Sequence, residues 1–85
     1  MNVRFKWGMS DHGEGRVGLS RDAEMSVAPR VGDLVVTMTG WDAGVLDLLI
    51  LPWDEEFGAY VTLQDWTRAT AADIDEARRA GWTDG

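Results

Sequence analysis

A mainly β fold with one C-terminal helix, of the α+β kind, is what this sequence predicts: five short strands forming a small antiparallel barrel or curled sheet. Three observations carry that prediction. Apolar and polar residues alternate in several short runs, the period of a half-buried strand. Turns rich in glycine and aspartate separate those runs. A helix-start signature stands near the C-terminus. At 85 residues the chain makes a single domain, 1–85. Folding at that size buries only roughly 60–65% of the surface exposed by the unfolded chain, so every large apolar side chain counts.

The first strand, about 2–7, sets Val3, Phe5 and Trp7 against Arg4 and Lys6. Gly8 to Gly15 is a polar, glycine-rich turn, and Val17 and Leu19 alternate beyond it, so a second strand at about 16–20 pairs back as a hairpin. Ser20 could cap a helical turn through Ala23 and Glu24, but Pro29 disfavours α geometry at Ala28. Arg21 to Arg30 therefore reads as a crossing loop with Met25 and Val27 tucked inward. β-Branched residues mark a third strand at about 33–39, and Gly40 to Gly44 supplies turn chemistry.

The longest apolar run, Val45 to Leu51, leads into Pro52-Trp53 and makes a fourth strand at about 45–53. Alternation places its Leu46, Leu48 and Ile50 inside and its Val45, Leu49, Leu51 and Trp53 outside, where Asp47 is the one polar residue. That outer face calls for cover by the terminal helix, by a partner, or by a second copy in a two-fold homodimer. Asp54 to Gly58 turns the chain into a fifth strand at about 59–63. Thr70-Ala71-Ala72-Asp73 begins a helix at about 71–80, with acids at its positive end, Arg78 and Arg79 in its last turn, and Gly81 placed for a left-handed cap. Trp82 follows, positioned to fold back on Ala77 in a Schellman arrangement.

Pro29-Arg30-Val31-Gly32-Asp33-Leu34-Val35, preceded by Asp22-Ala23-Glu24-Met25 and followed by an extended strand, a turn and an alternating strand, resembles small uncharacterised bacterial and phage barrel proteins with a Pro-x-Val-Gly-Asp-x-Val turn. The similarity runs from Val31 to Leu63. In such barrels, which are similar to the Src-homology fold, the Val-Gly-Asp turn leads into a long bent strand. The resemblance implies a fold and no activity.

Composition narrows the function classes. The chain has no cysteine, which removes disulfides, thiolate metal sites and a Cys nucleophile, and points to a cytoplasmic address. The apolar run is far short of the roughly 20 residues that span a bilayer, so no membrane role is expected. Of the net charge of −7, the span 31–67 holds seven acids and no Lys or Arg. Direct nucleic-acid binding, which needs clustered cations, is therefore not expected, and a partner with a basic surface is.

No chemistry-bearing motif survives its context. Gly13-Glu14-Gly15-Arg16-Val17-Gly18 matches a G-x-G-x-x-G string, but it opens no helix within a βαβ unit and reads as a hairpin turn. His12, the single histidine, lies between Asp11 and Glu14 and reads as a solvated loop residue rather than a metal ligand. No serine sits in a nucleophile elbow. We read no enzyme, no cofactor and no metal.

What remains is aromatic and acidic together: Trp41 and Asp42 at one turn, then Trp53, Asp54, Glu55, Glu56, Phe57 and Tyr60 around another, with Asp65-Trp66 close in sequence. Indoles and phenols are the anchors of protein interfaces, and carboxylates around them would meet Arg or Lys from a partner. The expectation is a non-catalytic, acidic protein-interaction module that uses Trp53, Phe57 and Tyr60 as anchors within an acidic rim. The alternative is an acidic inhibitor or nucleic-acid mimic, of phage or immunity type, in the basic groove of a nuclease or DNA-binding protein.

Overall fold

The computed structural model describes residues 1–10, 15–38, 40–51, 53–54 and 56–85. Its strands are β1 (Asn2–Ser10), β2 (Arg16–Glu24), β3 (Leu34–Met38), β4 (Trp41–Ile50), β5 (Ala59–Leu63) and β6 (Thr83–Asp84), with α1 (Ala71–Arg79) before the last. They form one curled sheet, half a barrel, in the order β3-β4-β5-β1-β2-β6. This is the mainly β architecture with a C-terminal helix that alternation and the Thr70 signature predict.

Strand direction departs from an all-antiparallel sheet. β1 is antiparallel to β2 but parallel to β5, with Val3 opposite Ala59 and Phe5 opposite Val61. Alternation reports which face of a strand is buried and carries no information on the direction of its neighbour. Strand lengths differ as well. β1 and β2 pair without a break from Asn2↔Glu24 to Ser10↔Arg16, so Arg21 to Glu24, expected in a crossing loop, belongs to a strand. The forked ion pair of Arg4 with Asp22, at 2.8 and 3.1 Å, lies across that added segment. β4 begins at Trp41, not Val45, because the reversal is made at Gly40, whose φ of 83° is left-handed backbone open to glycine. A sixth, two-residue strand pairs Thr83 and Asp84 with Ser20 and Leu19.

The expected facing of β4 is wrong at its start. Val45 pairs with Leu63 and Asp47 pairs with Thr62, which leaves Leu46 as the unpaired residue of a β-bulge. One extra residue reverses the in-out phase. Upstream, Ala43 and Val45 are buried with Leu63, while Leu46 is exposed. Downstream, Leu48 and Ile50 face the same side as Val61 and Ala59, as alternation predicts, although Ile50 is half exposed at the rim. Leu49 is exposed on the outer face, and Leu51 is buried rather than outward.

The helix forms as the sequence predicts. Thr70 Oγ1 accepts from Asp73 N, and the Asp73 carboxylate accepts in turn from Thr70 N. At the other end Gly81 has φ 105°, Gly81 N donates to Arg78 O and Trp82 N donates to Ala77 O, closing the Schellman motif. Ala77 is fully buried, and Ile74 packs against the same core as Val3, Phe5, Trp7, Leu19, Val61, Leu63 and Trp82. The indole Nε1 of Trp82 donates to Thr37 O at 2.7 Å, tying the chain beyond the helix to β3.

Candidate functional site

The aromatic and acidic residues singled out by the sequence do not form one patch. Trp41 starts β4 and Trp53 lies beyond its end, and ten residues of strand at about 3.3 Å each separate them by roughly 30 Å. Each end has its own environment.

At the Trp53 end, three of the expected partner-binding groups, Asp54, Phe57 and Tyr60, are already engaged. The Asp54 carboxylate accepts from Glu56 N at 2.8 Å and Phe57 N at 3.0 Å, and these backbone donors hold it below the usual carboxylate range. Asp54 therefore shapes the turn into β5. Phe57 is buried, with the Arg4 guanidinium 4.3 Å above its ring, and Lys6 Nζ stands 5.6 Å from the ring of Tyr60. The cations that a partner was expected to bring come from β1 instead. Glu56 is exposed, Trp53 is 76% exposed, and Glu55 lies outside the described residues, as do Asp11, His12 and Glu14.

At the Trp41 end a concave site of about 280 Å³ opens, lined by Trp41, Asp42, Gln64, Asp65 and Trp66 over the buried Trp7, with Leu34, Ala43 and Gly44 completing its wall. Its construction follows from two strands parting. After Leu63, Gln64 N still donates to Gly44 O, but the chain then turns to β1, where Trp66 N donates to Gly8 O and Ser10 N donates to Trp66 O. Trp66 is thereby laid between Trp41, at a ring separation of 4.1 Å, and Trp7, at 6.2 Å and nearly parallel. Trp7 in turn tilts against Trp82 at 5.3 Å, so four indoles run from the core to the surface. Trp41 ends that row 43% exposed. The Nε1 of Trp7 is buried with no hydrogen-bond partner among the described residues.

The two carboxylates of this site are not equivalent. Asp65 forks onto Arg16 at 2.9 and 3.3 Å, and that guanidinium holds its carboxyl below the usual range. The pair lies flat on Gly8, where a Cβ would stand 2.5 Å from both groups. Asp42, opposite Val36 on β3, is exposed and has no ion-pair partner among the described residues. Sequence reasoning found Trp41 and Asp42 but missed Gln64 and Leu34, and it left Trp66 at the margin. Only pairing across the sheet brings these together with residue 41. Among the described residues no three His, Asp or Glu side chains are grouped to hold a metal ion, and no helix is long and apolar enough to cross a membrane. No protein family, curated protein or solved structure matches this chain.

Proposed function

We propose that this chain is a non-catalytic interaction module that binds a basic protein partner at the Trp41 end of the half-barrel. The observation that carries the reading is the exposed Trp41, backed by Trp66 and flanked by the exposed Asp42 in a concave site. An indole fixed by a second indole is a rigid anchor, and a cation over its face gains about 0.5–2 kcal/mol depending on desolvation. Asp42 lies beside such a cation, within a span of sequence that contributes no competing Lys or Arg. The cysteine-free composition suits a reducing, cytoplasmic setting. A nucleic-acid mimic would need an open row of carboxylates, whereas Asp22, Asp54, Asp65 and Asp73 are spent on contacts within the chain.

The test is capture of a partner on immobilised protein, followed by titration with variants. Asp42→Asn preserves shape and should weaken binding several-fold while flattening its salt dependence. Trp41→Ala should reduce affinity by about tenfold or more. A partner held equally by wild type and Trp41→Ala defeats the proposal.

A further inference from the structure

We propose a second binding site that borders the Trp41 pocket at Leu34 and Asp42 but does not use Trp41: the open seam between β2 and β3 takes an extended segment of alternating apolar and basic residues as an added strand on the free edge of β3. Among the described residues, the half-barrel leaves two strand edges without neighbours. One is β3, at the end of the sheet; the other is β2 beyond its short pairing with β6 at Leu19 and Ser20.

The ladders determine which backbone groups face this gap. Met1 N and Met25 N each donate to the other residue's carbonyl, at 2.7 and 2.9 Å, so odd-numbered residues of β2 bond to β1. Asp22 and Glu24 consequently turn their N–H and C=O groups outward, as Gly18 does in accepting from Gly85 N. On the far side, Val45 N donates to Asp33 O, so Val35 faces β4 while Leu34 and Val36 present N–H and C=O to the gap. Both edges line one cavity of about 350 Å³, with Arg21 to Met25 on one wall, Val35 and Val36 on the other, and Phe5 and Trp82 between them. It adjoins a hollow of about 540 Å³ that shares Phe5, Met25 and Val35 and extends under Val27, Ala28 and Pro29. β6 already lies as a strand against this edge of β2 farther along.

The walls specify the occupant. Inward, Phe5, Met25, Val35 and Trp82 ask for apolar side chains. Outward, the carboxylates open to an occupant are those of Glu24 on β2 and of Asp42 beside Val36; Asp22 and Arg4 are forked onto each other, and the Met1 ammonium donates to Met25 O. Arg21 also lines the cavity, on the inward side beside Gly81. Lys or Arg at the outward positions of a bound segment therefore complements this face. Leu34 and Val36 are 72% and 68% exposed, and Leu34-Val35-Val36-Thr37-Met38 has none of the charges or prolines that guard natural sheet edges. β3 and β2 run in opposite directions, so a segment antiparallel to β3 runs parallel to β2.

The probe is a blocked peptide of about six residues alternating Lys and Val, titrated into the full chain and followed by amide hydrogen exchange and Trp fluorescence. The expected result is saturable binding that slows exchange at Leu34 and Val36 by about tenfold or more. N-methylation of one of the two alternate residue sets should abolish it. Val36→Pro, which deletes an N–H facing the gap and leaves the β4 ladder intact, should weaken it by about tenfold or more. Trp41→Ala should leave it unchanged. The proposal is overturned if no saturable binding occurs, if a Glu-Val peptide binds as well, or if neither N-methylation nor Val36→Pro matters. It is also overturned if Trp41→Ala alone abolishes binding, a result that would place the peptide in the Trp41 pocket and favour that reading. Protection of Leu34 and Val36 that rises with protein concentration in the absence of peptide would make a second copy the occupant, again against the proposal.

Discussion

Trp82→Phe separates two roles of one buried side chain, since phenylalanine keeps a ring in the core but cannot donate to Thr37 O. Trp82 is 2% exposed, its ring packs against Trp7 at 5.3 Å, and its Nε1 reaches the carbonyl of the fully buried Thr37 at 2.7 Å. Leaving that carbonyl unsatisfied costs about 1–3 kcal/mol. Losing the smaller ring removes roughly 40 Å² of apolar contact, about 1 kcal/mol more at ~25 cal/mol per Å². The sum, about 2–4 kcal/mol, is a large part of the ~4–13 kcal/mol available to a domain of this size. At about 4–8 °C per kcal/mol the melting temperature should fall by roughly 10–30 °C. Circular dichroism melts and urea titrations measure this, and hydrogen exchange should quicken first in β3. Trp53, 76% exposed, is the internal control, and its replacement by Ala should stay within about 0.5 kcal/mol. A Trp82→Phe variant less than about 1 kcal/mol below wild type, or Trp53→Ala as costly as Trp82→Phe, would refute the reasoning.

Val45→Ala should cost about 2 kcal/mol while Leu46→Ala should be nearly neutral in urea denaturation, the reverse of what uninterrupted alternation implies. Thr70→Ala removes one half of the capping box and should lower stability by about 1 kcal/mol, with the loss of helical ellipticity preceding loss of the sheet signal. The carboxyls of Asp22, Asp54 and Asp65 are held below their ordinary value in the folded chain, by Arg4, by backbone donors and by Arg16 respectively. Folded-state values below the unfolded ones mean stabilisation that is complete above the ordinary carboxylate value near 4 and lost as pH falls through the folded values. The urea midpoint should therefore hold from neutral pH down to about 5 and decline below it, by a modest amount that salt reduces because these pairs are exposed. A midpoint that rises on acidification would contradict the assignment.

The sequence by itself determined the elements whose causes are local. Val3, Phe5 and Trp7 set the facing of β1, and Thr70 with Asp73 and Gly81 set both ends of α1, because alternation and capping act within a few residues of chain. It also determined the cation-free acidity of residues 31–67 and the lack of thiol chemistry. Tertiary structure decided what depends on a neighbour distant in sequence. β1 recruited Arg21 to Glu24 into strand, and the mismatch between β4 and β5 at Leu46 reversed the facing of Val45. Parting of β5 from β4 brought Trp66 and Gln64 to Trp41, while the length of β4 carried Trp53 to the opposite end. Arg4 and Lys6 took the rings of Phe57 and Tyr60, which spacing alone had offered to a partner. A period of two names the buried side of each strand, but it leaves open which strand lies alongside, in which direction and in what register, and those choices decide which side chains meet.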